Sequence, residues 1–174
     1  MKKVQQKHNG CVLATLAMLA NISYEEAEEQ AKVAVIEAGL CWDGDWWNTF
    51  GYVTREVFQV IANVTASQLG MAEFMPVTRV RDVQSTGDSP NLCGKGQLSV
   101  EFDVGGHSMA YEDGLVYDPN YSSDQGETWD AYLQRRGSEN ILKVVVTPLG
   151  NTPPLKRGVP KQHLPKKSRV LSRG

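Results

Sequence analysis

The sequence predicts an α+β domain, with helices in its first half and an antiparallel sheet in its second. Three observations predict it. The first half holds segments of strong helix formers with their own start and stop residues. The second half holds short runs of partly alternating residues, rich in β-branched and aromatic types and separated by glycines. Helices and strands are therefore segregated along the chain, which is the pattern of α+β folds.

The elements follow in order. Cys11 to Ala20 (CVLATLAMLA) is apolar nearly all round and rich in Ala and Leu, which predicts a buried helix. Ser23 and Glu26 form a capping box for a second helix from Tyr24 to about Ala38, with Gly39 at the position of a terminating glycine. Thr54 is placed to cap a third helix through about Leu69, ended by Gly70. Residues 97–104, 107–112 and 115–118 read as strands. Gly105-Gly106 separates the first two, and Asp113-Gly114 is a strong two-residue hairpin signal. A short helix is expected from Thr128 to Arg135, and a buried strand over 141–147.

The chain has 174 residues, 41% of them hydrophobic and 22% charged, in the range of a single globular domain. No apolar run approaches the ~20 residues of a membrane span. The start, MKKVQQKHNG, lacks the apolar core of an export signal, so a cytoplasmic protein with reduced thiols is expected. Cys11, Cys41 and Cys93 are odd in number and do not suggest a disulfide framework. With no Cys-x-x-Cys or His-x-x-His pair, no metal is expected.

Charge divides the chain at about residue 150. The last 25 residues hold seven of the 18 Lys and Arg, none of the 20 Asp and Glu, and four prolines. Residues 1–149 then carry a net charge of −9. The stretch 150–174 reads as a flexible basic tail on an acidic domain. Its plain role is solubilising or self-docking, and the alternative is contact with nucleic acid or another acidic partner.

Three residues outside these patterns carry chemistry. Cys11 opens the apolar helix, where free backbone N–H groups and the positive end of the macrodipole favour thiolate. His107 follows Gly105-Gly106, small residues that leave its ring open to a cleft. Asp118 ends the strand paired with that of His107, so pairing around the turn predicts that the two side chains meet. Nucleophile, base and orienter result, in the order Cys, His, Asp. Gln5, six residues before Cys11, is a candidate to donate an amide to an oxyanion, together with the Cys11 backbone N–H. Gln6 is the alternative one residue on, and Asn120 is a poorer alternative to Asp118. Alone, Cys11 would read as a small buried hydrophobe and His107 as a polar turn residue. His8 and His163 read as solvated. The cluster Cys41-Trp42-Asp43-Gly44-Asp45-Trp46-Trp47 reads as an aromatic core edge, or alternatively as a cleft wall that grips substrate.

The run Gln5-Gln6-Lys7-His8-Asn9-Gly10-Cys11-Val12-Leu13-Ala14, then Leu16-Ala17-Met18-Leu19, resembles papain-like cysteine peptidases. Its style is that of the bacteriocin-processing branch of small bacterial and phage enzymes. Gly106-His107-Ser108-Met109-Ala110 and Val116-Tyr117-Asp118-Pro119 look like that family's His and Asp strands. The resemblance implies a papain-like fold, with the nucleophile helix packed on a C-terminal antiparallel sheet. It implies a thiol hydrolase acting on a protein or peptide substrate without a cofactor. It assigns Cys11 as nucleophile, His107 as base and acid, Asp118 as orienter and Gln5 as oxyanion donor. Val12 departs from the glycine that often follows the nucleophile in the family, and residues 40–96 match no part of it. Two other readings keep the same residues: acyl transfer to an amine, as in transglutaminase-like enzymes, and a non-catalytic effector that retains the fold.

Overall fold

The computed structural model describes residues 1–50, 55–70, 89–102, 105–121, 123–137 and 141–149. The expected cap Thr54 and the basic stretch 150–174 lie outside them. Among the described residues the protein is mixed α+β, with a five-stranded antiparallel sheet.

Helix α1 spans Cys11–Ala20 and α2 spans Tyr24–Glu37. The Ser23 hydroxyl accepts from the Glu26 N–H at 3.2 Å, and the Ser23 N–H donates to the Glu26 carboxylate at 2.8 Å. This reciprocal pair satisfies donors that the first turn leaves free. Gly39, with φ +73°, ends the helix by turning left-handed, where a Cβ would be strained. A short α3, Trp46–Phe50, precedes α4, Arg55–Gln68.

Strand β1, Lys95–Phe102, pairs with β2, Gly105–Glu112, and with β5, Ile141–Pro148. Strand β3, Leu115–Tyr117, pairs with β2 and with the two-residue β4, Glu127–Thr128. Thr128 also caps α5, Trp129–Arg136, by accepting from the Ala131 N–H. The sheet order is β4-β3-β2-β1-β5. At the β2–β3 turn both Asp113 (φ +49°) and Gly114 (φ +87°) are left-handed, the backbone of a tight hairpin whose twist suits antiparallel strands. Gly105-Gly106 does not separate strands as expected. Both glycines belong to β2, opposite Phe102 and Glu101. Backbone pairing needs no side chain, so glycine here extends the ladder rather than ending it. The two-residue β4 and five-residue α3 are too short to show a periodicity in sequence.

Alternation along the strands builds two cores on one sheet. Ala110 and Tyr117 join Leu13, Leu16, Val35, Ile61 and other residues of α1, α2 and α4. Leu98, Val100, Met109, Tyr111 and Val116 join Trp129 and Tyr132 of α5. His107 shares its face with Met109 and Tyr111, on the α5 side. No helix among the described residues is long and apolar enough to cross a membrane.

Candidate active site

The turn before Cys11 is tightly specified. His8 (φ +42°) and Asn9 (φ +58°) are both left-handed, which is uncommon for consecutive residues that carry a Cβ. The Gly10 N–H closes the turn onto the Lys7 carbonyl at 2.7 Å, and the Tyr24 hydroxyl donates to the same oxygen at 3.3 Å. A Cβ at Gly10 would lie 2.0 Å from the Tyr24 oxygen, so only glycine fits between the turn and α2. Burial raises the Tyr24 pKa, with Glu28, Asp45 and Cys11 adding to the effect, so Tyr24 stays a neutral donor. Among the described residues no side chain caps α1. The first N–H groups of the helix therefore stay open beside the thiol.

The hairpin register brings Asp118 to His107. Tyr117 pairs with Ala110, so Asp118, the residue after β3, runs back toward the start of β2. His107 Nε2 and Asp118 Oδ1 are 2.7 Å apart. The same Oδ1 accepts the Asn120 backbone N–H at 2.8 Å, and Oδ2 accepts Arg135 Nη2 at 3.0 Å. It is thus Asp118 that meets the ring, and Asn120 contributes its backbone. The imidazole is not open as expected: the His107 side chain is 8% exposed and that of Asp118 only 1%. The carboxylate, an acceptor only, requires a proton on Nε2, which leaves Nδ1 to face another partner.

The Cys11 thiol also acts on this ring. Burial opposes the imidazolium. Hydrogen bonds to Asp118 and Cys11, with their charges, outweigh burial and raise the His107 pKa from 6.5 to about 9. Burial likewise opposes the Asp118 charge, yet His107, the Asn120 amide and Arg135 hold its carboxyl well below the usual range. The arrangement places an imidazole between a thiol and a fixed carboxylate, the geometry that moves a proton off sulfur.

Gln5 lies on the exposed side of the N-terminal segment. Its amide reaches the Tyr121 carbonyl at 3.5 Å, at the long limit of a hydrogen bond. Gln6 donates its backbone N–H to the Pro119 carbonyl at 3.0 Å, tying this segment to the loop that follows Asp118. Its side-chain Oε1 is buried and has no partner among the described residues. The two neighbours thus have opposite environments, and alanine variants will separate them. If Gln5 supplies an oxyanion donor, Gln5→Ala should slow acylation of Cys11 by an activated ester about 100- to 1000-fold, while Gln6→Ala leaves the rate near wild type. The reverse pattern would move the role to Gln6.

The aromatic cluster divides between the two readings given to it. Trp46 is buried in the α1–α2–α4 core and Trp42 packs against that core. Trp46 also lines a cavity of about 220 Å³ with Asp45, Glu28, Tyr24, Lys7 and His8, beside the turn that precedes Cys11.

The sequence reading missed Arg135 and Glu127. Arg135 bonds Glu127 through Nε at 3.2 Å and through Nη2, while also reaching Asp118. Its guanidinium lies 3.9 Å from the Tyr121 ring centroid. The available signal was a basic residue closing a short helix, which ordinarily serves the helix dipole alone.

Exposure and chemistry make opposite forecasts for the thiols. Cys41 and Cys93 are exposed, whereas Cys11 is half-buried. Reactivity set by access favours the first two. Activation by His107 favours Cys11. Iodoacetamide near pH 6 with peptide mapping is expected to modify Cys11 first, and equal labelling of all three would refute activation.

Comparison with known proteins finds no family model, no characterised protein and no solved structure that matches this chain.

Proposed function

We propose that the protein is a papain-like cysteine hydrolase that cleaves peptide or isopeptide bonds. The observation that carries this reading is the His107 ring bonded at 2.7 Å to the buried Asp118 carboxylate, with the Cys11 thiol at the head of α1 acting on the same ring. Cys11 Sγ transfers its proton to His107 Nδ1 and attacks the substrate carbonyl carbon. The carbonyl oxygen becomes an oxyanion beside the open N–H of Cys11 and a side-chain amide, for which Gln5 is the candidate. Collapse of this intermediate breaks the C–N bond, and the imidazolium protonates the departing amine. Water, deprotonated by His107, then attacks the thioester, releasing the acid and restoring the thiol. Asp118 keeps the ring in one tautomer throughout. No cofactor enters these steps.

Mass spectrometry of lysate proteins incubated with wild type and with Cys11→Ala tests the reading. New peptide termini, or amines released from isopeptide links, are expected only with the wild type. Identical products from both proteins would refute it.

A further inference from the structure

We propose that Arg135 is a positioning residue that fixes the Asp118 carboxylate and sets how tightly His107 holds its proton. The catalytic consequence rests on the hydrolase reading, but the geometry does not. Asp118 is almost wholly buried, and its two oxygens have different partners. Oδ1 takes His107 Nε2 at 2.7 Å and the Asn120 N–H at 2.8 Å, while Oδ2 takes Arg135 Nη2 at 3.0 Å. With Oδ2 engaged, rotation of the carboxylate would break bonds on both sides. The guanidinium is itself immobilised, by two bonds to Glu127 and by the Tyr121 ring. Arg135 is thus a fixed cation on the far side of the carboxylate from the imidazole.

A second cation changes the electrostatics of the pair. Without it, His107 would be the main counter-charge of a buried carboxylate and would hold its proton more firmly. Arg135 takes up part of that negative charge and stays positive at every working pH. A base must release its proton within each cycle, and it does so best when its pKa lies near the working pH. The charged and titratable groups around the pair are few. Among the described residues, Cys11 of α1 acts on the ring, Arg135 of α5 bonds the carboxylate, and Glu127 of β4 bonds Arg135 from its other side. Lys3 of the N-terminal segment and Tyr132 of α5 feel the Asp118 charge, with Arg136 acting on Tyr132 and Asp124 on Lys3. Among these, Arg135 is the cation that bonds Asp118 directly.

The test is an NMR titration of the His107 ring protons in the full chain, assigned by their loss in His107→Gln. In Arg135→Gln the midpoint is expected to rise by about one pH unit. Arg135→Lys restores a point charge and should return most of that shift, which a merely structural role would not do. A folded Arg135→Gln protein whose midpoint is unchanged or lower overturns the proposal. Should that variant fail to fold, Glu127→Gln decides. It removes the competing carboxylate and leaves the guanidinium to Asp118, so the His107 midpoint should fall, and a midpoint unchanged or higher overturns the assignment. The titration needs no turnover. It therefore stands or falls separately from the hydrolase reading, which Cys11→Ala tests.

Discussion

Under the proposed hydrolase reading, Cys11→Ala is expected to lower hydrolysis by about 10⁶-fold and to leave the fold intact. The magnitude follows from how such groups act. Thiol and imidazole work as a unit, so loss of the nucleophile removes the covalent route and leaves only binding and oxyanion stabilisation. The fold should tolerate the change because Cys11 sits half-buried at the edge of the α1 core, while the fully buried helix residues begin beyond it. The left-handed turn over His8 and Asn9 and the contact of Gly10 with Tyr24 do not involve the sulfur. Stability should therefore stay within about 1 kcal/mol of wild type in urea denaturation. A variant that retains activity would sink the nucleophile assignment. One that is inactive and unfolded would mean instead that Cys11 holds the helix in place.

Asp118→Asn should combine two losses, about 10⁴-fold in turnover and about 3 kcal/mol in stability. Turnover falls because the amide can present its NH₂ to His107 Nε2, which forces the proton to Nδ1, the nitrogen that must accept from Cys11. Stability falls because His107 and Arg135 lose the buried anion they share. The stability loss carries a pH signature. The folded pKa of His107, about 9, lies above its ordinary value of 6.5. Its contribution is thus fully present below pH 6.5 and is lost as the pH rises through about 9. Wild-type stability should decline across that window, whereas Asp118→Asn should be nearly flat, so the two curves draw together toward its alkaline end and stay apart by the part due to Arg135. Parallel curves in urea titrations from pH 6 to 10 would show that the His107–Asp118 pair does not store this energy.

The candidate site was legible in sequence to the extent that its parts are local. Cys11 at a helix head, and Asp118 a hairpin's length beyond His107, follow from apolar periodicity and one Asp-Gly turn. The rest was illegible for a physical reason. Asp118 gains Arg135 from 17 residues away, and Arg135 gains Glu127 across β4 and the length of α5. No spacing rule links such residues, because the contact exists only once α5 lies on the sheet face that carries His107.

Local sequence is enough to specify the helices α1, α2 and α5, the capping box at Ser23, the left-handed ends at Gly39 and Gly70, and the β2–β3 hairpin. Each depends on neighbours within a few residues, where hydrogen bonding and backbone sterics act on the local chain. Tertiary structure alone decided how deeply the site is buried. Gly105-Gly106, read as a break that would open His107 to a cleft, became part of β2, and packing on both faces of the sheet left the imidazole largely shielded. It also decided that Gln5 faces solvent while the Gln6 side-chain Oε1 is buried, because the bond from the Gln6 N–H to Pro119 orients the segment. Burial is a property of surfaces brought together from distant parts of the chain, so no local pattern encodes it.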